Sequence, residues 1–564
     1  MTTDSIKTKP SLNLSALRKV FSLLAAWEKW LAIVLVIVTL SSIYWDWNIF
    51  YVRHTTEVPA DGGQLVEGLV GQPHFINPIL ATTQTDETIV HAVFSGLYRY
   101  TNTGNLEPDL ATALPEIGND EKHYTVHLKP NLTWHDGKAL TADDVLFTIS
   151  KIQDDNVQSP LRNLWLSTSV QKLDPLTVVF VTKDVSGPFI QNLTVPLLPE
   201  HAWKNVSSES YASSPLNLQP LGSGPFAIRQ IEKNPDGSTK RMALASYAGH
   251  PLRSRLDGIT LVFYSSVDDM RQGYAAQEIS SMGLATNDVA SEPTGPNVHT
   301  FRVALPQYQA IFLNTKSPGL SESEVRKALA LVVDSKALTD AAWGKRARAI
   351  TTPPLGLVTN EPVLSSINST EANVLLDKAG WVKQANGIRS KGAVTLSIKL
   401  LTSDTASFVV ASQLLAQTWQ SLGVAVQVQS VPTTTLISDY VRPRKYDALL
   451  FSQRTGVDPD PFAFWHSSQT KDPGLNVSNF SSSEVDSLIT NARSSTNTTE
   501  RQAQYTKLAN ILNASAPAIY INQSLYTYIL SGDIQSSELT ALIDPSWRLA
   551  EASRFYIRTT RTWK

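Results

Sequence analysis

The chain has 564 residues, with 48 Lys and Arg against 50 Asp and Glu, and it contains no cysteine. Its formal net charge of −2 excludes a strongly basic nucleic-acid-binding protein. The lack of cysteine excludes disulfides, thiolate zinc sites, iron–sulfur clusters, a cysteine nucleophile and a lipid attached to an N-terminal cysteine.

The first predicted element is a membrane anchor. Residues Trp30–Trp45 carry no charged side chain, and tryptophans flank the run as in the aromatic belts of membrane helices. Basic residues precede it at Lys7, Lys9, Arg18, Lys19 and Lys29. We therefore predict a cytoplasmic segment over 1–29, a transmembrane anchor over 30–52 and an extracytoplasmic body after about residue 53. A cleaved signal peptide is the alternative.

The body that follows is predicted to be mixed α/β, because short β-rich runs alternate with runs of helical spacing. The strand–helix–strand order over 394–431, in which the helix stops before Gly423, predicts a βαβ unit. The predicted strands are Leu173–Val181, Ile259–Tyr264, Val394–Leu401, Val424–Val431 and Tyr446–Ser452.

Two helix starts are predicted from capping patterns. Thr141 followed by Asp144 predicts a capping box at the start of a helix over about 139–152. Ser321 followed by Glu324 predicts the same device for a helix over 321–338. Both patterns indicate ordered helices within the body.

Several segments, in a fixed order, carry a family pattern over roughly residues 60–530. They are Gly68–Pro78, Val93–Tyr100 with Gly104–Ala111, Tyr124–Val145, Leu221–Phe226, Phe312–Asp334, and Asp458–His466 with Asn476–Arg501. Each segment is unspecific alone, but the ordered set resembles the extracytoplasmic solute-binding proteins of the oligopeptide/dipeptide/nickel class (family 5). Members of that class deliver ligands to ABC importers.

The resemblance implies an α/β, two-lobed periplasmic-binding-protein-like fold (type II), with the ligand in the cleft between the lobes. It also implies an extra domain inserted in the first lobe, and here one transmembrane helix precedes the whole. On this chain lobe I would combine 56–90, 215–305 and 512–564, the extra domain would be 91–214, and lobe II 306–511. Chain crossings near 303–308 and 508–514 would form the hinge.

The resemblance also implies where the ligand lies. In peptide-binding relatives the end of one lobe II strand pairs with the main chain of the ligand, as an added β-strand would. This end maps to Phe451, Ser452 and Gln453 of this chain. On the opposing lobe, Leu69, Val70 and Gly71 correspond to the strand and loop that meet the ligand, although an ordinary strand end is an alternative for them.

Three further residues are candidates at the cleft. Peptide-binding members place an Asp, which pairs with the ammonium group of the ligand, at the position of Thr455, where this chain has no acid. This departure weighs against a peptide with a free N-terminus, unless Asp458 or Asp460 substitutes through a different turn. Arg454 is a candidate for binding a carboxylate or phosphate, or a solvated surface residue. Trp465 is a candidate pocket wall, or a packed core residue.

Enzyme signatures are missing from the sequence: it has no H-E-x-x-H, G-x-S-x-G, P-loop or dinucleotide fingerprint. We predict no catalytic residue and no cofactor. A metal site built from distant histidines and carboxylates stays open. The predicted function is capture of oligopeptides by a monomeric body and their delivery to ABC permease subunits. The alternatives are a non-peptide solute, a ligand-sensing receptor with the same fold, and an extracytoplasmic hydrolase.

Overall fold

The computed structural model describes residues 25–564 apart from Asn102, 287–291, 354–366, Val457, Pro459, 536–538, Ala541 and Glu551. Most of the predicted cytoplasmic segment, residues 1–24, lies outside the described residues.

The described strands, in chain order, are β1 Thr55–Ala60, β2 Gln64–Val70, β3 Tyr98–Tyr100, β4 Leu106–Pro108, β5 Glu116–Ile117, β6 His123–His127, β7 Thr168–Asp174, β8 Thr177–Thr182, β9 Phe226–Lys233, β10 Thr239–Ser246, β11 Gly258–Tyr264, β12 Ser281–Leu284, β13 Val298–Leu313, β14 Ala347–Ala349, β15 Val382–Lys383, β16 Arg389–Lys391, β17 Val394–Thr395, β18 Ser397–Ser403, β19 Ala425–Val431, β20 Ala448–Arg454, β21 Ala518–Ser531 and β22 Arg558–Trp563.

The described α-helices are α1 Ala26–His54, α2 Gln84–Val93, α3 Ala142–Gln153, α4 Arg162–Trp165, α5 Glu200–Trp203, α6 Val267–Ala275, α7 Ser323–Leu331, α8 Ser335–Ala342, α9 Ser369–Lys378, α10 Ala406–Ser421, α11 Thr433–Thr435, α12 Phe462–Trp465, α13 Ser483–Arg493 and α14 Thr498–Ser515.

The chain forms two compact units, and the first contains α1, β1 and β22. Helix α1 has 29 residues, contains the predicted span 30–52, and is long and apolar enough to cross a membrane. Strand β1 follows it directly and pairs antiparallel with β22, from Thr55 opposite Trp563 to Ala60 opposite Arg558. The segment after the apolar helix is therefore joined to a strand about 500 residues further along the sequence.

The second unit, Asp61–Ile557, is built on an eleven-stranded mixed sheet. The strand order is β19-β18-β20-β13-β21-β12-β2-β11-β10-β9, and β14 pairs with β21. The two long central strands β13 and β21 are antiparallel, and their register is irregular between Ala304 and Tyr308. This irregularity lies at the predicted crossing near 303–308. Residues 508–514, the second predicted crossing, lie in helix α14, and the strand opposite the irregularity is β21. The predicted hinge itself stays a prediction.

Local predictions are confirmed where the signal is strong. Strands β18 and β19 are parallel and joined by α10, which forms the predicted βαβ unit, and Gly423 has φ +89° after the helix. Thr141 and Asp144 form the predicted capping box of α3. The capping prediction at Ser321 is wrong: α7 has Glu322 at its N-cap without a side-chain cap bond, and α8 is a separate helix.

One predicted strand is a hairpin in the structure. The run Leu173–Val181 was expected to be a single strand, but β7 ends at Asp174 and β8 begins at Thr177. Asp174 Oδ1 accepts a hydrogen bond from Leu176 N at 2.8 Å, which stabilises the turn. The Asp-Pro pair within the run was the signal for this turn.

Large aromatic side chains fill separate hydrophobic cores in the second unit. One core contains Trp134 and Trp165 and joins β2, β6, β8 and β11 with α3. Another contains Trp343 and Trp419 between α8, α10 and β18. A third contains Trp465 beside α14 and the ends of β13 and β21. The division of these cores into the predicted lobes and the predicted extra domain stays a prediction.

Candidate functional site

Two adjoining cavities lie beside the central strands of the sheet. The first, which we call the charged cavity, has a volume of about 310 Å³ and is lined by Glu87, Arg454 and Asp544 among others. The second, the apolar cavity, has a volume of about 260 Å³ and is lined mainly by β2, α6 and Tyr526. Both cavities have Gln84 and Ala285 in their walls. Their combined size is that of a small-ligand site.

The end of β2 forms one wall of the apolar cavity. Leu69 is buried and Val70 is 37% exposed, and both line the cavity. That they contact a ligand stays a prediction. Gly71 follows with φ +100°, a left-handed conformation that favours glycine. Its N–H donates to Tyr264 O at 2.9 Å. Thr85 Oγ1 donates to Val70 O at 2.9 Å, which holds α2 against this wall.

Strand β20 leads into the charged cavity and has one edge that is covered only in part. Along one edge it pairs with β13 over its full length, from Arg454 opposite Gln307 to Ala448 opposite Leu313. Along the other edge, the register with β18 includes only Ala448 and Leu449. Among the described residues, no strand therefore covers that edge from Phe451 to Arg454.

The side chains on this part of β20 are engaged within the protein. Gln307 Nε2 donates to Ser452 Oγ at 2.7 Å, and Tyr308 Oη donates to Gln453 Oε1 at 2.6 Å. Gln453 is 6% exposed and its Nε2 donates to Leu475 O at 3.1 Å. The predicted residues Ser452 and Gln453 thus use their side chains to hold β13 and β20 together. Among the described residues, only the main-chain groups that face away from β13 lack a partner strand here.

Thr455 and Trp465 both make contacts within the protein. Thr455 N and Oγ1 both donate to Pro306 O, at 2.8 and 3.1 Å, so this residue closes the end of the strand pair. Trp465 is 3% exposed inside a hydrophobic core, with its ring 6.5 Å from that of Phe312. The core alternative for Trp465 fits this placement, because a buried indole offers no surface for a ligand.

An ion pair and a titratable acid give the charged cavity its polarity. Arg454 Nη2 forms an ion pair with Asp544, and Asp544 Oδ1 also accepts from Ser546 N at 2.8 Å. Burial and the nearby Asp544 raise the pKa of Glu87 to about 7, although Arg454 opposes the shift. Glu87 is thus partly ionised near neutral pH, and a cation placed in the cavity would favour its charged form.

Sequence reasoning missed Glu87 and Asp544. Glu87 stands one residue after Asp86, whose carboxylate accepts from His74 N at 2.7 Å and Phe75 N at 3.0 Å. Thr83 caps α2 by accepting from Asp86 N at 3.1 Å. The Thr83-x-x-Asp86 pattern would have located the helix start, but nothing in it distinguishes the capping acid from the one that faces the cavity.

A fully buried ion pair supports the apolar cavity. Arg548 lines that cavity, and its Nε donates to Glu67 Oε1 at 2.7 Å, with side-chain exposures of 2% and 0%. Tyr528 Oη donates to Glu67 Oε2 at 2.9 Å, and Arg548 Nη1 donates to Thr88 Oγ1 at 3.2 Å. This buried charge pair therefore links β2, β21 and α2 through hydrogen bonds.

One buried cluster has the residue types of a nucleophilic triad without the geometry. Ser95 Oγ lies 3.0 Å from His250 Nε2, and Asp109 Oδ1 lies 3.6 Å from the same nitrogen. A triad needs the carboxylate on the other ring nitrogen, so that the imidazole is oriented as a base. Here His250 Nδ1 instead faces Leu252 N at 3.1 Å. The cluster therefore does not form a charge-relay arrangement.

The described residues contain no group of three or more His, Cys, Asp or Glu side chains that is arranged to hold a metal ion. The candidate site is a partly open strand edge beside one charged and one apolar cavity.

Residues 105–475 match the family model of bacterial extracellular solute-binding proteins, family 5 Middle. The chain belongs to this family. Its members are extracytoplasmic substrate-binding proteins rather than enzymes, and the mixed α/β fold is the two-lobed fold of periplasmic binding proteins.

Individual relatives match most of the chain. The oligopeptide-binding protein AppA of Bacillus subtilis is 25% identical over 492 residues, which cover 82% of this chain and 86% of the relative. The nickel-binding protein NikA of Staphylococcus aureus is 22% identical over 460 residues, covering 78% and 85%. The crystal structure of the ABC transporter substrate binding protein CtaP of Listeria monocytogenes superposes with a TM-score of 0.74 at 25% identity, covering 88% and 99%.

Proposed function

We propose that this chain captures oligopeptides in the two adjoining cavities and delivers them to an ABC permease while α1 holds it at the membrane. The main observation that supports the proposal is the partly open edge of β20. It leads into the charged cavity, and the apolar cavity adjoins that cavity.

The open edge of β20 is suited to the main chain of a peptide. Unpaired strand edges present N–H and C=O groups that an extended chain satisfies by adding a strand. The edge runs from Phe451 to Arg454, and Arg454 lines the charged cavity. Because the side chains of Ser452 and Gln453 are held inside the protein, recognition here would be independent of the peptide sequence.

Glu87 and Asp544 can supply the negative charge that is missing at Thr455. Both carboxylates line the charged cavity, and the raised pKa of Glu87 reflects the unfavourable burial of its charge next to Asp544. An ammonium group in this cavity would offset that cost by direct charge pairing. We therefore assign recognition of the peptide amino group to these two acids on α2 and on the segment before Pro545, and not to the loop after β20.

The apolar cavity would take one side chain of the ligand. Leu69, Val70, Val267 and Met270 supply an apolar lining, and a volume of about 260 Å³ is enough for a large side chain. Burial of such a side chain contributes on the order of 1.5–3 kcal/mol. Peptides with an apolar residue near the amino end are thus the expected ligands.

Retention of α1 as an anchor is supported by contacts at its end. Arg561 Nη2 on β22 donates to Val52 O at 3.2 Å, and Thr55 Oγ1 donates to Tyr51 O at 2.5 Å. The end of the helix is therefore built into the first compact unit, and cleavage after Val52 would remove these partners. The apolar surface of α1 is exposed throughout, as required of a helix that faces lipid.

Native mass spectrometry of the full chain, purified in mild detergent without denaturation, tests the proposal. A set of adducts whose masses differ by amino-acid residues would support peptide capture. A single adduct of another mass would replace the peptide by a different solute. A protein without adducts, and without a thermal shift from any member of a peptide library, would contradict the proposal.

A further inference from the structure

The last strand of the chain lies at the point where the apolar helix ends. Trp563 of β22 is 60% exposed, and its ring lies edge-on at 5.7 Å from that of Tyr51 and 6.3 Å from that of Phe50. Tyr51 and Phe50 belong to the last turn of α1. Trp45 and Trp47 lie one to two turns earlier on the same helix and are also exposed. Trp563 therefore extends the group of aromatic residues at the outer end of the helix.

Hydrogen bonds fix β22 to the end of α1. Arg561 donates from Nη2 to Val52 O at 3.2 Å and from Nε to Thr55 Oγ1 at 2.9 Å. Its Nη1 pairs with Glu57 Oε1 at 2.7 Å, and Lys564 N donates to His54 O at 2.9 Å. Carbonyl groups at a helix end otherwise have no intrahelical partner, so β22 satisfies groups that would need water. The strand is thus held at the level where α1 ends.

The length of α1 gives the depth of this level. Residues 30–52, which include one acid at Asp46 near the outer end, would span about 35 Å at ~1.5 Å per residue, slightly more than a ~30 Å hydrocarbon core. The end of the helix at Arg53 therefore falls in the lipid headgroup layer. Because β22 is fixed to that end, Trp563 falls in the same layer, where tryptophan is preferred.

The charges around this level have one predominant sign. Residues 50–60 and 558–564 contain one acid, Glu57, which is already paired with Arg561. The bases of these segments are Arg53, Arg558, Arg561 and Lys564. Arg53, Arg558 and Lys564 are exposed. Exposed bases at this depth attract anionic lipid headgroups.

We propose that β22 is a second membrane contact, which lies in the outer headgroup layer and binds anionic phospholipid. Trp563 inserts at the level of the headgroups, and Arg53, Arg558 and Lys564 contact lipid phosphates. The proposal rests on the proposed anchoring of the chain by α1. It adds that the strand paired with the segment after the anchor is itself part of the membrane-binding surface.

The chain has no native cysteine, so single labels can be placed without removing other thiols. The test uses the full chain in nanodiscs, with an environment-sensitive fluorophore at Val38→Cys in the middle of α1 or at Thr562→Cys on β22. Thr562 is exposed and neighbours Trp563. Lipids that carry a nitroxide on the acyl chain or on the headgroup quench the label. The same discs without nitroxide lipid are the reference.

We expect acyl-chain nitroxide to quench the Val38 label, and headgroup nitroxide to quench the Thr562 label at least twofold. Quenching at Val38 without quenching at Thr562 would overturn the membrane contact of β22 and leave the anchor intact. Loss of quenching at both positions would overturn the anchor and the inference together. The two failures are therefore distinguishable.

A second measurement tests the charge of the lipid. The quenching at Thr562 is compared in discs of phosphatidylcholine alone and of phosphatidylcholine with phosphatidylglycerol. We expect stronger quenching with phosphatidylglycerol, and we expect the double variant Arg558→Glu, Lys564→Glu to lose at least half of that gain. The matched control Lys383→Glu, an exposed base in the second unit, should keep it. Equal quenching in both lipid mixtures would overturn the proposal that the lipid partner is anionic. Unchanged quenching of the Val38 label in the double variant verifies that this variant is inserted in the membrane.

Discussion

Glu87 and Asp544 line the same cavity, and the pKa of Glu87 is raised to about 7 by burial and by the charge of Asp544. The first prediction concerns the pH dependence of peptide binding. A bound ammonium group favours ionised Glu87, so affinity for a peptide with a free amino group should rise from pH 5 to about pH 7. A rise of up to about fiftyfold is expected, since about a hundredth of the group is ionised two pH units below the pKa and about half of it at the pKa. Isothermal titration calorimetry at several pH values measures it.

Three comparisons make this prediction specific. An N-acetylated peptide should show no such rise, because it carries no ammonium group. Glu87→Gln should remove the pH dependence, whereas the exposed Glu209→Gln should keep it. Asp544→Asn should shift the rise to lower pH, because the negative charge of Asp544 helps to raise the pKa of Glu87. A rise that persists in Glu87→Gln would contradict the assignment of this acid.

The stability of the ligand-free protein should fall as pH rises, whereas the affinity for the peptide should rise. The folded-state pKa of Glu87 lies above its ordinary value of 4.5, so the folded protein holds this proton more tightly than the unfolded chain. The stabilisation from this group is complete below about pH 4.5 and is lost as pH rises through about 7. We expect Glu87→Gln to raise the melting temperature at pH 8 and to have little effect at pH 4.5. A lower melting temperature of the variant at pH 8 would contradict this.

The sequence predicted the local elements around this site, whereas a ligand-binding role of their residues stays a prediction. Leu69 and Val70 were placed by the family pattern around β2, and both line a cavity. The βαβ unit followed from periodicity and from Gly423, since these signals lie within a few residues of one another. Signals of this kind depend only on residues that are close together in the sequence.

The remaining residues of the site depend on contacts between distant segments. Glu87 and Asp544 are about 450 residues apart in the sequence, and only the completed sheet brings them to one cavity. Trp465 follows a proline turn whose sequence allows both a pocket wall and a core position, and tertiary packing decides between them. Pairing of β1 with β22 likewise joins the two ends of the body, where neither strand has a pattern that selects the other.

The placement of Trp465 gives a second prediction. Because Trp465 is 3% exposed in a core beside Phe312, its truncation should affect stability and not affinity. We expect Trp465→Ala to lower the free energy of unfolding by about 3–5 kcal/mol. The milder Trp465→Phe should fold and bind peptide within twofold of the unchanged chain. Chemical denaturation and calorimetry measure the two effects, and a selective loss of affinity in Trp465→Phe would restore the pocket-wall alternative.

A third prediction concerns the buried ion pair between Arg548, which lines the apolar cavity, and Glu67. Arg548→Met leaves Glu67 buried without its cation, at a cost of about 3–5 kcal/mol. Removing both charges, in Glu67→Leu with Arg548→Met, should recover a large part of this loss, because no buried charge is then left unpaired. Urea denaturation of the two single variants and the double variant measures the coupling. Additive losses would show that the two side chains act independently, in conflict with the 2.7 Å contact between Arg548 Nε and Glu67 Oε1.

The fourth prediction uses the glycine that lies against Tyr526 in the wall of the apolar cavity. A Cβ atom at Gly283 would overlap with Oη and Cζ of Tyr526, so the ring must move. Gly283→Ala should therefore weaken binding of peptides with a large apolar side chain by about tenfold, and overpacking should cost about 1–3 kcal/mol of stability. Tyr526 is itself 1% exposed in a hydrophobic core, so Tyr526→Ala alone is also destabilising. Because the clash is absent when both residues are changed, the double variant should lose less stability than the sum of the two single variants. If Gly283→Ala binds such peptides as tightly as the unchanged chain, the apolar cavity is not where their side chain lies.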